Sequence, residues 1–269
     1  MLLIGNSIDK LKELDTATIQ TCITSPPYWG LRDYDDDGQL GQEDHPEEFV
    51  NKLTDIFMQV HRVLREDGTL WINIGDTYFG AKGGHWDGGN SITNEQSGTK
   101  YRENRKAPPK HPYLKTKDLS GVPWMLALSL QKKGWYLRQD IIWHKPNPMP
   151  EAVNDRCAKS HEHIFLLTKN PKYYFNAEAI GEKTRRRTDV WTLNTSSFKG
   201  AHFAVFPQQI PEMCIKAGTQ EGDTVLDPFM GSGTTAYVAQ RLGRKWIGVE
   251  LNPEYAQIIQ NRVAQRELF

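Results

Sequence analysis

Residues 24–30 of this 269-residue chain read Thr-Ser-Pro-Pro-Tyr-Trp-Gly, an order suited to one kind of chemistry. Successive prolines neither continue a β-ladder nor enter a helix interior. Pro26 and Pro27 therefore make a stiff loop at the end of the short apolar run Thr21-Cys22-Ile23. In such a loop the Ser25 hydroxyl and the Pro26 carbonyl are two acceptors on a rigid backbone, and Tyr28 adds an aromatic face. An exocyclic amine on a nucleobase is a weak nucleophile because its lone pair is delocalised into the ring. Two acceptors that take both N–H hydrogens pyramidalise the nitrogen, and a stacked ring holds an extruded base. Ser25, Pro26, Pro27 and Tyr28 are the candidate catalytic residues, with Trp29 as a flank for the base.

A second chemical segment, Asp227-Pro228-Phe229-Met230-Gly231-Ser232-Gly233-Thr234-Thr235, lies between a predicted strand and a predicted helix. Its glycines let backbone pass close to a ligand, and the helix N-terminus offers free N–H groups. Gly231-x-Gly233-x-x-Ala236, with Glu250 at the end of the next strand, satisfies the dinucleotide fingerprint. The motif alone fits a nicotinamide or flavin enzyme as well as one that binds S-adenosyl-L-methionine, since Glu250 can take ribose hydroxyls in either. No Gly-Lys-Ser/Thr follows, which excludes a P-loop. A carboxylate at Asp227 repels a pyrophosphate and suits the α-ammonium of a methionine moiety. A dinucleotide domain also usually opens with this unit, whereas here it lies in the last third.

The elements that must carry these loops follow from periodicity. Residues 2–4 form a first strand, and Ser7 is a plausible N-cap for a helix to residue 14, with Ile8, Leu11 and Leu14 on one face. A long helix starts near Pro46, Asp67-Gly68 is a turn, and residues 68–75 are a buried strand. Further predicted elements are a helix over 122–132 and strands over 138–143 and 162–168. The strand ending at Val225-Leu226, the helix 234–242, the strand 246–249 and the helix 253–266 make a βαβα unit, so a parallel sheet is expected. Residues 80–120, rich in Gly, Asn, Lys and Pro, read as a long basic insertion in a single domain spanning 1–269.

Lysine plus arginine and aspartate plus glutamate balance at 33 each, so the distribution of charge informs more than the total. Lys100, Arg102, Arg105, Lys106, Lys110, Lys115 and Lys117 fall within the insertion, with Tyr101 and Tyr113 interleaved. That pattern fits contact with nucleic-acid phosphates, and Arg185-Arg186-Arg187 is a second basic run. No run of about 18 apolar residues is present, and the N-terminal residues read as a strand and not a signal peptide, so a cytoplasmic protein is expected. The three cysteines (22, 157 and 214) are scattered, with no CxxC pair. His161 and His163 share a strand face, but no third ligand accompanies them. They read as structural, and no metal is expected.

The chain resembles the β-group amino-methyltransferases of DNA, the N-4/N-6 methylases. Ser25-Pro26-Pro27-Tyr28 matches the catalytic motif and residues 227–234 the cofactor motif, in the permuted order, catalytic first, that marks the group. Residues 141–150 (IIWHKPNPMP), His161-Glu162-His163-Ile164 and Phe206-Pro207 are similar to further family segments. The resemblance implies an α/β class I methyltransferase fold, Rossmann-like, with a mostly parallel seven-stranded sheet and S-adenosyl-L-methionine as the cofactor. By it, Asp227 and its neighbours Pro228, Phe229, Gly231, Gly233 and Thr234 hold the methionine part and line the pocket, and Glu250 holds the ribose. Asn6 stands near the adenine, where the family usually has Asp. Serine at the head of the tetrad leans towards cytosine N4, with adenine N6 the alternative. An RNA or protein amide methylase, a nicotinamide oxidoreductase and a non-catalytic DNA-binding module are the remaining rivals. The implied partners are double-stranded DNA, a cognate restriction endonuclease and a second copy of the chain, in a bacterium, archaeon or phage. The target-recognition interval after His163 is short, which assigns sequence reading to residues 80–118 and backbone grip to residues 185–187.

Overall fold

In the computed structural model, residues 1–30, 38–80, 110–181, 185–197, 204–205 and 207–264 are described. The strands are β1 (Leu2–Ile4), β2 (Ile19–Thr24), β3 (Leu64–Ile74), β4 (Tyr136–His144), β5 (His161–Thr168), β6 (Val190–Thr192), β7 (Ser196–Ser197), β8 (Ala204–Val205), β9 (Thr224–Asp227) and β10 (Lys245–Glu250). The helices are α1 (Ser7–Lys12), α2 (Pro46–Val63), α3 (Val122–Lys132), α4 (Gln209–Gly218), α5 (Thr234–Arg241) and α6 (Tyr255–Ala264). Eight strands form one sheet in the order β1-β10-β9-β2-β3-β5-β4-β6, and β7 and β8 form a separate pair. All neighbours in the large sheet run parallel except at β5, which is antiparallel to both β3 and β4. The expected class, α/β with a mostly parallel sheet, is the observed one; it has eight strands instead of seven because the three-residue β6 adds an edge.

Alternation along the strands separates two cores. On β2, Cys22 packs with Leu11, Phe49 and Leu126, which belong to α1, α2 and α3. Its neighbour Ile23 packs with Met213, Cys214 and Val238 from α4 and α5. On β3, Leu70 and Ile72 face the first group and Trp71 the second. Successive side chains point to opposite faces, so helices cover both sides and the strands read as near-continuous apolar runs.

Two local expectations change. The first helix is capped by Asn6, whose Oδ1 accepts from Ile8 N–H at 3.1 Å, and not by Ser7. Asparagine is as good a cap as serine, and Ser7 instead donates its hydroxyl to the Pro228 carbonyl at 2.7 Å. At Asp67-Gly68 the chain makes an irregularity inside β3 in place of a turn. Ile19 pairs with Leu64 but Thr21 with Thr69, so extra β3 residues bulge out between the pairs.

The fold brings one set of strand ends together. Thr24, Asp227, Glu250, Ile4 and Ile74 all close at the carboxyl edge, and the hairpin of β4 and β5 turns there with His144 opposite His161. Between β9 and β2 the connections diverge, to β10 on one side and β3 on the other. In open α/β sheets, ligands bind in the crevice outside such a switch point.

Candidate active site

Asp227 ends β9 beside Thr24 of β2, and its carboxylate knots the two loops. Its Oδ1 accepts from the Thr24 hydroxyl at 2.7 Å and from Phe229 N–H at 3.0 Å; Oδ2 accepts from the Thr235 hydroxyl at 2.7 Å. The residue is 1% exposed. Burial outweighs these three donors and raises its pKa from 3.8 to about 6. The residue expected to face the methionine ammonium thus already holds three protein donors on its two oxygens. Its bonds hold residues 24 and 227–235 in register.

Past Asp227, Gly231 and Gly233 adopt φ of +52° and +81°, the left-handed region that glycine enters without strain. A Cβ on Gly231 would meet nothing within 4 Å, so open space lies beside the loop. Glu250, at the end of β10, is partly buried and accepts Gly231 N–H on one oxygen at 2.8 Å and Asn252 N–H on the other at 3.0 Å. Burial raises its pKa despite those bonds, with the negative charge of Asp227 adding to the rise. Each carboxylate oxygen keeps a lone pair for a ribose hydroxyl. Asn6 lies one residue past Gly5, whose N–H bonds the Glu250 carbonyl at 2.9 Å. Its Oδ1 is taken by the helix cap, which leaves the amide N–H₂ to act as donor. Phe229 is half-buried and meets Phe57 edge-on. Thr234 is buried at the start of α5. The open loop, the carboxylate and the donors fit an adenosine-bearing cofactor.

Underneath lies a residue the sequence reading missed. Arg262 of α6, 6% exposed, donates through one nitrogen to the Ser232 carbonyl at 3.2 Å, the Ser232 hydroxyl at 2.9 Å and the Thr234 hydroxyl at 3.0 Å. Burial lowers its pKa. It clamps the glycine turn from behind; an arginine on an otherwise amphipathic terminal helix gives no sequence signal of this.

On the other side of the switch point, residues 25–30 follow β2. Among the described residues neither the Ser25 hydroxyl nor the Pro26 carbonyl is hydrogen-bonded within the protein, so both remain acceptors. Asn73 stands one position past Ile72, the register partner of Thr24 at the end of β2. Tyr28 is fixed at its tip: its hydroxyl donates to Glu162 Oε2 at 2.6 Å. A Cβ on Gly75 would lie 2.9 Å from the Tyr28 ring, so only glycine leaves the ring that position. Trp29 departs from expectation. It is 6% exposed, stacks on Phe79 at 6.2 Å, and donates its N–H to the Glu43 carbonyl at 2.9 Å. Its indole props the loop from inside and is not available to a base.

Glu162 gathers further groups. Asn73 Nδ2 donates to it at 3.0 Å, and Lys145 Nζ is hydrogen-bonded to its other oxygen while lying 4.4 Å above the Trp143 ring. Lys159, whose pKa burial lowers, donates to the Asp76 carbonyl. The Asp76 carboxylate caps α3 through Gly121 and Val122 N–H, and its own pKa is raised by burial. His163 Nδ1 lies 2.9 Å from Asp140; among the described residues no group of three or more His, Cys, Asp or Glu could hold a metal. Trp143 is buried.

The basic residues divide. Lys100, Arg102, Arg105 and Lys106 lie outside the described residues. Lys110 is exposed, and the segment after it returns to the carboxyl edge: Lys117 N–H bonds the Phe79 carbonyl, Tyr78 bridges Leu119, and Lys117 Nζ pairs with Asp155 at 2.6 Å. The insertion thus leaves and re-enters beside the end of β3. Arg185, Arg186 and Arg187 sit elsewhere. Arg185 backs onto Gly181, Arg187 donates to the Ile180 carbonyl, and neighbouring Asn176 and Tyr174 bond Ala217 at the end of α4 and Asp67 near the start of β3. Those anchors belong to the strand-start side, so the run is not brought to the Ser25 loop.

Residues 19–261 match the family model described as DNA methylase. Type II methyltransferase M.SmaI of Serratia marcescens is 46% identical, over 98% of this chain and 91% of its own length. Type II methyltransferase M.Cfr9I of Citrobacter freundii is 47% identical, over 96% and 86%. Among solved structures, the PvuII DNA methyltransferase (cytosine-N4-specific) shares the fold with a TM-score of 0.73 at 22% identity, covering 97% of this chain and 85% of that one. A putative DNA modification methylase of Thermus thermophilus, solved with S-adenosyl-L-methionine, gives a TM-score of 0.67 at 26% identity, covering 98% and 94%. Among the described residues no helix is long and apolar enough to cross a membrane.

Proposed function

Because this chain belongs to the DNA methylase family and is a site-specific, S-adenosyl-L-methionine-dependent DNA amino-methyltransferase, we propose that its target is the N4 amine of a cytosine flipped out of the duplex. The observation that carries the choice of base is Ser25 at the head of the Ser-Pro-Pro-Tyr loop, with its hydroxyl unengaged among the described residues. Ser25 Oγ and the Pro26 carbonyl accept the two N–H hydrogens, and Tyr28 stacks on the base. Glu250 and the backbone of residues 228–234 orient the cofactor, and Asn6 N–H₂ faces its adenine. When bound, S-adenosyl-L-methionine supplies an activated methyl group on a sulfonium. Asp227 adds negative charge near the cationic methionine end without touching it. No cysteine serves as a nucleophile in this scheme, so no covalent enzyme intermediate forms.

Target reading lies in the insertion at residues 80–118, whose stem at Tyr78, Phe79 and Lys117 supports a position over the carboxyl edge. Deleting residues 85–115 and mapping methylated sites tests this; unchanged site preference sinks it. By the same reading the enzyme works in the cytoplasm beside a cognate restriction endonuclease, and sedimentation of the purified protein tells monomer from homodimer. Nucleoside analysis of DNA methylated by the protein tests the base: N4-methylcytosine is expected, and N6-methyladenine in its place overturns the assignment.

A further inference from the structure

The cluster around Glu162 takes no direct part in the methyl transfer, yet it touches the catalytic loop. Glu162 is the second residue of β5, opposite Trp143 of β4, and its side chain is 12% exposed. Its two oxygens collect three donors from three separate parts of the chain: the Tyr28 hydroxyl from the catalytic loop, Asn73 Nδ2 from the end of β3, and Lys145 Nζ from the end of the β4 hairpin arm. Lys145 pairs with this carboxylate while resting on the Trp143 ring, so the charge is matched where it is largely withdrawn from solvent. Charge-assisted bonds from a phenol to a carboxylate are stronger and more directional than bonds between neutral groups.

A tyrosine ring held only by its Cα–Cβ bond can swing through rotamers that move its hydroxyl by many ångströms. Here the ring is fixed at both ends of its edge, by Gly75 backbone along one side and by Glu162 at the tip. Both constraints come from outside the catalytic loop. We infer that Glu162, neutralised by Lys145, is a positioning residue that locks the plane of Tyr28 for the incoming base, making the β4–β5 hairpin part of the catalytic apparatus. This rests on the reading that Tyr28 stacks on the flipped base. It gives the segments Trp143-His144-Lys145 and His161-Glu162-His163 a role in turnover that their sequence does not disclose.

The test uses the full chain, S-adenosyl-L-methionine and a duplex carrying a mapped methylation site. Tyr28→Phe keeps the ring and removes the lock from one side. Glu162→Gln and Glu162→Asp remove it from the other, the aspartate keeping a negative charge for Lys145. Each variant is expected to lower kcat on the order of 10- to 100-fold, because misplacing a reacting group by about 1 Å has that effect, while the Kd for S-adenosyl-L-methionine stays close to that of the parent. The double variant Tyr28→Phe/Glu162→Asp is expected to be no slower than the slower single one, since both break the same contact. A double variant whose loss is the product of the single losses overturns the inference, as does a Glu162→Asp enzyme with unchanged kcat. If Glu162→Gln does not fold, judged by its thermal melt, the Tyr28→Phe and Glu162→Asp arms still decide. A Tyr28→Ala enzyme with full kcat defeats the stacking reading itself, a result distinct from failure of the lock.

Discussion

Replacing Asp227 with asparagine should make the protein more stable at neutral and alkaline pH while weakening cofactor binding. The folded carboxyl has a pKa of about 6 against an ordinary 3.8, with burial as the cause. A raised acid pKa means that the folded state holds its proton more tightly than the unfolded chain. The stability from this group is therefore complete below pH 3.8 and is lost as pH rises through 6. At about 1.36 kcal/mol per pH unit, ionisation costs the fold about 0.5 kcal/mol at pH 4 and about 3 kcal/mol at pH 7 and above. Asparagine carries no charge, and its Oδ1 can still accept from Thr24 and Phe229 N–H, while the Thr235 hydroxyl can turn to accept from Nδ2. The advantage of Asp227→Asn should thus grow with pH, towards about 3 kcal/mol less whatever the new amide geometry costs. Thermal melts from pH 4 to pH 8 read it directly, at about 2–4 °C per kcal/mol for a chain of this size. Calorimetry on the same samples should show weaker S-adenosyl-L-methionine binding, by about tenfold or more, because a nearby anion has gone. A variant less stable than the parent by the same amount at every pH would overturn this prediction, since the carboxylate would then be ionised and stabilising in the fold.

Three more substitutions separate the remaining roles. Ser25→Ala should lower kcat on the order of 100-fold while leaving cofactor affinity nearly intact, measured by turnover alongside calorimetry; equal loss of both would place Ser25 in cofactor binding. Glu250→Ala removes a charged acceptor of two backbone N–H groups and of the ribose, and should raise the Kd for S-adenosyl-L-methionine by about 10- to 100-fold, the weight of one or two charge-assisted bonds. Arg262→Met deletes the clamp under the glycine turn and leaves the Ser232 and Thr234 oxygens short of a donor, for a loss of about 1–3 kcal/mol in a denaturant melt and weaker cofactor binding; an unchanged melt would show that the turn stands without it.

Loops built from proline and glycine announced themselves, because their backbone restrictions are written in residue type. Ser25-Pro26-Pro27-Tyr28 and Gly231-Ser232-Gly233 both proved to stand at the ends of neighbouring strands. The long helix from Pro46 and the helix from Val122 were legible from apolar spacing alone. What stayed hidden depends on partners distant in sequence. Glu162 reaches Tyr28 across 134 positions and Asp227 reaches Thr24 across 203, and no spacing rule encodes such pairs. Trp29 looked like a base-flanking aromatic because its neighbours are polar, yet Phe79 and the Glu43 carbonyl give it both an apolar face and an acceptor. Ser7 reads as the cap from its type and place, and only the geometry shows that Asn6 bonds Ile8 while Ser7 bonds Pro228. The edge strand β6 and the helix α4 were not foreseen. One is three residues long and the other has Pro211 at its start, so neither offers a long periodic run.

The most direct measurement is mass spectrometry of nucleosides from DNA incubated with the protein and methyl-labelled S-adenosyl-L-methionine, with the Ser25→Ala variant run in parallel. Label is expected in N4-methylcytosine, reduced on the order of 100-fold in the variant. Label in N6-methyladenine would contradict the choice of base, and label that persists at the parental rate without the Ser25 hydroxyl would contradict the assignment of the catalytic loop.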